Sequence, residues 1–296
     1  MQKEQDRKIL YYSDELNDDF AGTNIEQKKL PEDFEYVNKN FFFNVGKFLL
    51  HWLIVPIIWL LVKIIYHQKY VNKRVLKRCK KSGYFVYGNH TNWMLDAYVP
   101  TLLSFPKYTY LIANPDAVSI KGIKNLVLML GAFPLPNSMN LTFKFMSAIK
   151  ERVNKRGVIM IYPEAHIWPY YTDIRNFRAD SFVYPVETNK PVFCFTNVYK
   201  KRFIGKRPKV VTYIDGPFYP DQTLTKRENI QNLRDKVYET MKKGSNRTLN
   251  MNISLLTLRS RLFNLKTIEA KHLYTKGLGL LFYSQPDILF NKSRSF

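Results

Sequence analysis

The chain has 296 residues, with 46 Lys+Arg against 24 Asp+Glu, 46% hydrophobic residues and 15% aromatics. That excludes wholesale disorder and suits one large domain or two small ones, while two cysteines, Cys79 and Cys194, exclude a disulfide framework and multi-cysteine zinc modules. A formal charge of +22 calls for an anionic partner, and composition leaves nucleic acid, a phospholipid surface and a phosphorylated ligand all open.

Residues 1–47 carry seven Lys+Arg and ten Asp+Glu and few apolar repeats, so they read as an acidic leader, poorly ordered or loosely docked. Residues 48–81 differ sharply. They open on Phe48 to Val62, fifteen residues broken only by His51 and Pro56, and carry eight basic side chains and no acid, all between Lys63 and Lys81. A single bilayer-crossing helix wants about 20 apolar residues, so the run is marginal unless Lys63 snorkels and extends it to Tyr66. It follows an acidic leader and lacks a small-residue cleavage site, unlike a secretory signal. Trp52, Trp59 and the basic cluster behind them suit a membrane anchor with its basic flank on anionic lipid at the cytoplasmic face. A buried core helix is the competing reading.

Residues 82–244 alternate strand and helix patterns. Tyr84–Gly88 is a short β-rich run, and Asn89-His90-Thr91 leads into a helical pattern from Trp93 to about Ser104. His90 thus falls on a strand-to-helix corner. Tyr108–Ala113 reads as a strand and Lys121–Leu130 as a short helix. A helix capped at Asn137 or Ser138 should run to about Arg156, with Gly157 supplying a left-handed end. Val158–Tyr162 is a buried strand delivering Pro163-Glu164 to the sheet edge. Strands at Pro191–Val198 and Lys209–Ile214 precede a helix from Thr225 to Lys243, with a Thr225/Glu228 capping box and Gly244 closing it. Such alternation predicts an α/β fold whose functional groups collect at strand ends. Residues 245–296 form a C-terminal extension of unclear role, with apolar stretches at Leu255–Leu265 and Leu278–Tyr283.

Four segments then carry a resemblance. GNHTNWMLD, Gly88–Asp96, resembles the His-and-Asp block of the glycerolipid acyltransferase family, which includes the lysophosphatidate acyltransferases. YPEA, Tyr162–Ala165, resembles that family's Phe-Pro-Glu-Gly block. Asn176-Phe177-Arg178-Ala179 falls where the family has Phe, a basic residue and Gly, and Pro191-Val192 is similar to its last Pro-rich strand. The resemblance implies a mixed sheet flanked by helices, an N-terminal membrane segment, and acyl transfer from acyl-CoA or acyl-carrier protein to a lysophospholipid hydroxyl.

The chemistry can be argued from the side chains. An alcohol is a poor nucleophile near pH 7, so its attack on a thioester needs a base. His90 suits that role. Asp96 on the other ring nitrogen would fix the tautomer and stabilise the imidazolium. The reaction calls for no metal or redox cofactor, and although His90, Asp96, Glu164 and His166 could gather around an ion, they lack a His-x-x-x-His ligand pair. Glu164, by resemblance, completes acceptor binding.

Two departures from the family bear on these roles. Five residues separate His90 from Asp96 where the family has four, and within a helix one extra residue turns a side chain by about 100°. Asp96 could then serve only the helix N-terminus. Asn137 stands where a phosphate-gripping Arg is expected, which makes Arg175 and Arg178 replacement candidates and a glycolipid or other uncharged membrane alcohol an alternative acceptor. A lipid-binding scaffold without turnover is the second class of function. Nucleic-acid binding is the third, and it has no recognition helix or stacking strand in its favour.

Overall fold

The computed structural model describes residues 8–12, 14–20, 29–118, 122–200, 202, 208–247 and 288–292. The apolar stretches at Leu255–Leu265 and Leu278–Tyr283 lie outside the described residues.

A seven-stranded mixed sheet organises the chain. Its strands are β2 (Lys69–Val71), β3 (Tyr84–Gly88), β4 (Thr109–Ala113), β5 (Ala132–Pro134), β6 (Val158–Ile161), β7 (Val192–Lys200) and β8 (Lys209–Phe218), in the order β2-β8-β7-β3-β6-β4-β5. Every pairing is parallel except β7 with β8. A short parallel pair, β1 (Lys8–Tyr12) with β9 (Ile288–Lys292), stands apart from this sheet. The helices are α1 (Phe41–Tyr66), α2 (Trp93–Ser104), α3 (Lys124–Met129), α4 (Met139–Asn154), α5 (Val183–Thr188) and α6 (Lys226–Asn246).

The sheet is covered on both faces, which is why its central strands are continuously apolar. Phe85, Tyr87, Ile159, Ile161, Val192 and Cys194 face one core with Phe145 and Ile149 of α4 and Leu233, Val237 and Met241 of α6. Alternate residues Tyr84, Val86, Val158, Met160, Phe193 and Phe195 face the other, against Val55 and Val62 of α1 and Leu95, Val99 and Leu103 of α2. The i, i+4, i+8 spacing of Leu233, Val237 and Met241 is what makes α6 lie flat on the sheet.

Caps fix the helix starts. Asn92 accepts the Leu95 N–H at 3.0 Å to open α2, and Ser138 accepts the Leu141 N–H at 3.3 Å to open α4. The Thr225/Glu228 capping box is present at α6. Two expected ends differ. The left-handed residue after α4 is Arg156 (φ 65), while Gly157 is needed because a Cβ there would sit 2.8 Å from the Arg152 carbonyl. Helix α6 runs through Gly244, where the missing side chain admits Thr196.

The leader also differs from the loose arm expected. Leu30, Phe34 and Tyr36 are buried in the core beside α4. Their aromatic rings pack edge-to-face with one another and with Phe145, which offsets the acidic character of the segment around them.

Helix α1 is the one described helix long and apolar enough to cross a membrane. It is docked on the domain along its length. Lys47 donates to the Tyr110 hydroxyl at 2.9 Å, His51 Nε2 lies 3.3 Å from the Pro106 carbonyl, Trp52 packs against Phe105, and the Tyr66 hydroxyl reaches Met94 Sδ at 3.4 Å. The opposite side stays bare, with Phe41, Phe42, Phe48, Leu49, Leu53, Trp59, Leu60 and Ile64 all exposed.

Candidate active site

His90 leaves the carboxyl end of β3 where the strand can approach β7 closely: a Cβ at Gly88 would collide with the Phe195 ring. Asn89 then bridges to β7, accepting the Asn197 N–H at 2.7 Å and donating to its carbonyl at 3.0 Å. With that corner locked, the His90 ring faces α2.

The imidazole Nδ1 lies 2.8 Å from Asp96 Oδ2. The five-residue spacing is absorbed ahead of the helix, because Thr91 and Asn92 are spent on the turn and the N-cap. Asp96, in the first turn of α2, folds its side chain back so that Oδ2 also accepts the N–H groups of Thr91 and Asn92, both at 2.8 Å. The Asp96 side chain thus serves the helix N-terminus and the imidazole at once. Burial pushes its carboxyl above the ordinary value, opposed by the His90 contact and the two N–H donors. Oδ1 is buried without a hydrogen-bond partner among the described residues. Nδ1 facing a carboxylate makes it the protonated nitrogen and leaves Nε2 as the basic one.

Glu164 follows β6 and is buried behind His90. Its Oε2 accepts the His90 backbone N–H at 3.0 Å, its Oε1 accepts the Arg175 backbone N–H at 3.1 Å, and the Arg175 guanidinium stands 3.5 Å away. Burial pushes the Glu164 carboxyl up, while Arg175 and the two N–H donors pull it down. The loop that follows closes the cradle: Trp168 N–H donates to the His90 carbonyl at 3.1 Å and Tyr170 N–H to the Thr91 carbonyl at 2.8 Å. Ala165 takes φ 62 there, a left-handed position that favours Gly.

These contacts show what the residues expected to bind the acceptor hold within the fold. Arg175 is fully buried; besides Glu164 it donates to the His166 and Glu15 carbonyls and lies 4.6 Å from the Trp168 ring centre. Glu164 and Arg175 therefore neutralise each other and hold the His90 main chain, because a buried charge is tolerable only when paired. Arg178 is 77% exposed and pairs with Asp180 at 2.7 Å. Asn137 is exposed between β5 and α4. Of the four, Glu164 alone contacts His90, and it does so at the main chain. No three His, Cys, Asp or Glu side chains among the described residues gather as a metal ion would need.

Two contributors escaped the sequence reading. Residues Tyr12 and 14–20 strap the loop from outside: Tyr12 and Phe20 pack on Trp168, whose Nε1 donates to the Asp18 carbonyl at 2.8 Å, and Glu15 Oε1 accepts the Asn176 N–H at 3.3 Å. Nothing local in the acidic leader announces partners some 150 residues away. Tyr162 is the second. Its ring stacks on His90, and the available signal was a Tyr where the resemblance has Phe.

Residues 63–196 match the family model described as Acyltransferase. That stretch is a little under half of the chain. The fold agrees: the crystal structure of the 1-acyl-sn-glycerophosphate (LPA) acyltransferase PlsC from Thermotoga maritima superposes with a TM-score of 0.50 at 17% identity, over 72% of this chain and 89% of that one. Among curated proteins no sequence matches significantly. The matched stretch includes the His90 corner, Asp96, Glu164 and Arg175.

Proposed function

We propose that this acyltransferase moves a fatty acyl group from a thioester donor, acyl-CoA or acyl-carrier protein, to a hydroxyl of a lysophospholipid such as lysophosphatidate or a related membrane lipid. The 2.8 Å contact between His90 Nδ1 and buried Asp96 Oδ2 carries this reading. His90 Nε2 takes the proton of the acceptor hydroxyl as its oxygen forms a bond to the thioester carbonyl carbon. The tetrahedral intermediate collapses with cleavage of the C–S bond, and the Nε2 proton goes to the departing thiolate. Asp96 stabilises the imidazolium in between, so the reaction asks the protein for no metal or redox cofactor.

The same reading places the work at a membrane surface. A helix docked along its length on a sheet domain cannot leave that domain to cross a bilayer, because the polar backbone packed against it would enter hydrocarbon. We therefore take α1 to lie in the interface with its bare apolar side in lipid. The exposed Lys63, Lys69, Arg74, Lys77, Arg78, Lys80 and Lys81 would meet anionic headgroups, which supports a catalytic domain on the cytoplasmic face.

An uncharged acceptor, a glycolipid or other membrane-anchored alcohol, is the second reading. It is favoured by Arg175 being spent on Glu164, Arg178 on Asp180, and Asn137 carrying no charge.

The test supplies labelled acyl-CoA or acyl-carrier protein with lysophospholipids and glycolipids and follows which product acquires label. Label in a phospholipid supports the first reading, and label only in an uncharged lipid supports the second. No acyl product from wild type, or undiminished product from His90→Ala, overturns both.

A further inference from the structure

Helix α2 contains Pro100, which has no N–H and so offers nothing to the carbonyl four residues earlier. That carbonyl belongs to Asp96. It accepts instead the Tyr162 hydroxyl, at 2.7 Å, from the end of β6. The Tyr162 ring meanwhile lies face to face with the His90 imidazole, centroids 4.3 Å apart and planes 12° from parallel, and is propped from its far side by the edge of Phe195. One side chain thus touches both members of the dyad.

We propose that Tyr162 is the positioning residue that lets His90 and Asp96 pair across five intervening residues. Its hydroxyl supplies the hydrogen bond Pro100 withholds, and its ring is the shelf on which the imidazole rests. The longer spacing leaves Asp96 held from the front only through Oδ2, by His90 and the Thr91 and Asn92 N–H groups. A free carbonyl on the next bond would let the first turn of α2 rotate and carry Oδ2 away from Nδ1. The Tyr162 hydroxyl fixes that carbonyl and stops the rotation. A Phe, which the family resemblance has here, would keep the shelf and lose the tie. Burial raises the phenol well above its ordinary value, so Tyr162 stays a neutral donor over the working range. The charged groups around the His90 ring and main chain are Asp96 from α2 and Glu164 with Arg175 from the loop after β6.

This inference rests on His90 being the base, so its test carries a readout that needs no substrate. Full-length wild type, Tyr162→Phe and Tyr162→Phe/Pro100→Ala are compared by steady-state acyl transfer and by NMR titration of the His90 imidazole, assigned among the five histidines with His90→Gln. Tyr162→Phe should lower kcat about 10- to 100-fold with both KM values nearly unchanged, as a small misplacement of a reacting group does. It should also move the His90 midpoint. Pro100→Ala on that background returns an N–H to the Asp96 carbonyl and should restore most of kcat and the midpoint. Wild-type kcat and midpoint in Tyr162→Phe, or a loss that Pro100→Ala leaves unrepaired, overturns the proposal. If wild type transfers no acyl group, the functional reading fails while the titration still decides: a midpoint moved by Tyr162→Phe and returned by Pro100→Ala upholds the positioning role, and an unmoved one overturns it. Should Tyr162→Phe alone not fold, the double variant is set against wild type, with matching midpoints supporting the exchange of donors and differing ones rejecting it.

Discussion

Glu164 accepts the backbone N–H of His90 at 3.0 Å, across 74 residues of sequence. The carboxylate that family resemblance would give to the acceptor is used to hold the main chain of His90, and Arg175 is the counter-charge that makes this tolerable.

Removing one member of that pair leaves an uncompensated buried charge, which typically costs about 3–5 kcal/mol. Arg175→Met or Glu164→Gln should therefore lower stability by that order, and the Glu164→Gln/Arg175→Met double variant should lose less than the two singles added together. Denaturant titration checks the energies. In kinetics the soluble fraction should lose kcat; a rise in acceptor KM alone, with unchanged stability, would return Arg175 to the role of phosphate clamp.

His90→Ala should cost about 10²- to 10⁴-fold in acyl transfer, the usual range for a general base. Asp96→Asn should be similarly impaired, since the Nδ1 tautomer loses its partner. Retention of more than about a tenth of turnover in a folded His90→Ala protein contradicts the assignment.

Asp96 also predicts a pH effect on stability. Its folded pKa is raised from 3.8, chiefly by burial, so the unfolded chain releases that proton first as pH rises. The group's contribution to stability is greatest below its unfolded value and is lost as pH climbs through the folded one. Asp96→Asn removes this dependence. The melting temperature of Asp96→Asn relative to wild type should therefore be higher at pH 8 than at pH 4, whatever its offset, and calorimetry at the two values gives the sign.

The strap offers a separate handle. Trp168 is fully buried beneath Tyr12 and Phe20, and truncating a buried aromatic costs about 3–5 kcal/mol. Trp168→Ala should destabilise the loop carrying Glu164 and depress kcat, and deleting residues 1–20 should reproduce the kinetic loss with a smaller loss of global stability. Full activity in the deletion would reduce the strap to a passive covering.

For the membrane face, Leu53→Ser, Leu60→Ser and Ile64→Ser change exposed side chains and should weaken binding to anionic vesicles with little change in melting temperature. High salt alone should release little of the wild-type protein, because apolar insertion is not screened. Complete release by salt would mean that α1 contributes nothing to attachment.

Most strands and helices from Tyr84 to α6 were legible because they carried their own local evidence of period, caps and breakers, whereas β5 and α5 were not expected. The pairing of His90 with Asp96 was legible for the same reason, since the corner and the turn that join them lie within nine residues. What stayed hidden was set at a distance. Lys69–Val71 is a strand only because β8 pairs with it, and Ala132–Pro134 only because β4 does. Glu164 and Arg175 read as separate acceptor-binding candidates until the fold brings them together. Gly157 and Gly244 pointed to helix ends by their conformational freedom, whereas the structure uses their small size.

The docking of residues 14–20 onto the loop before Asn176 has a consequence during synthesis. The strap leaves the ribosome first and the loop it grips about 150 residues later, roughly 7–30 s at ordinary elongation rates of about 5–20 residues per second. Helix α1 emerges in that interval, before α2 and β4 exist to cover any of it. Its docked side is then as bare as the side that stays exposed in the fold. Residues 14–20 therefore wait for a partner that the chain has not yet made, and the loop carrying Glu164 gains its outer cover only once both ends of that interval are in place.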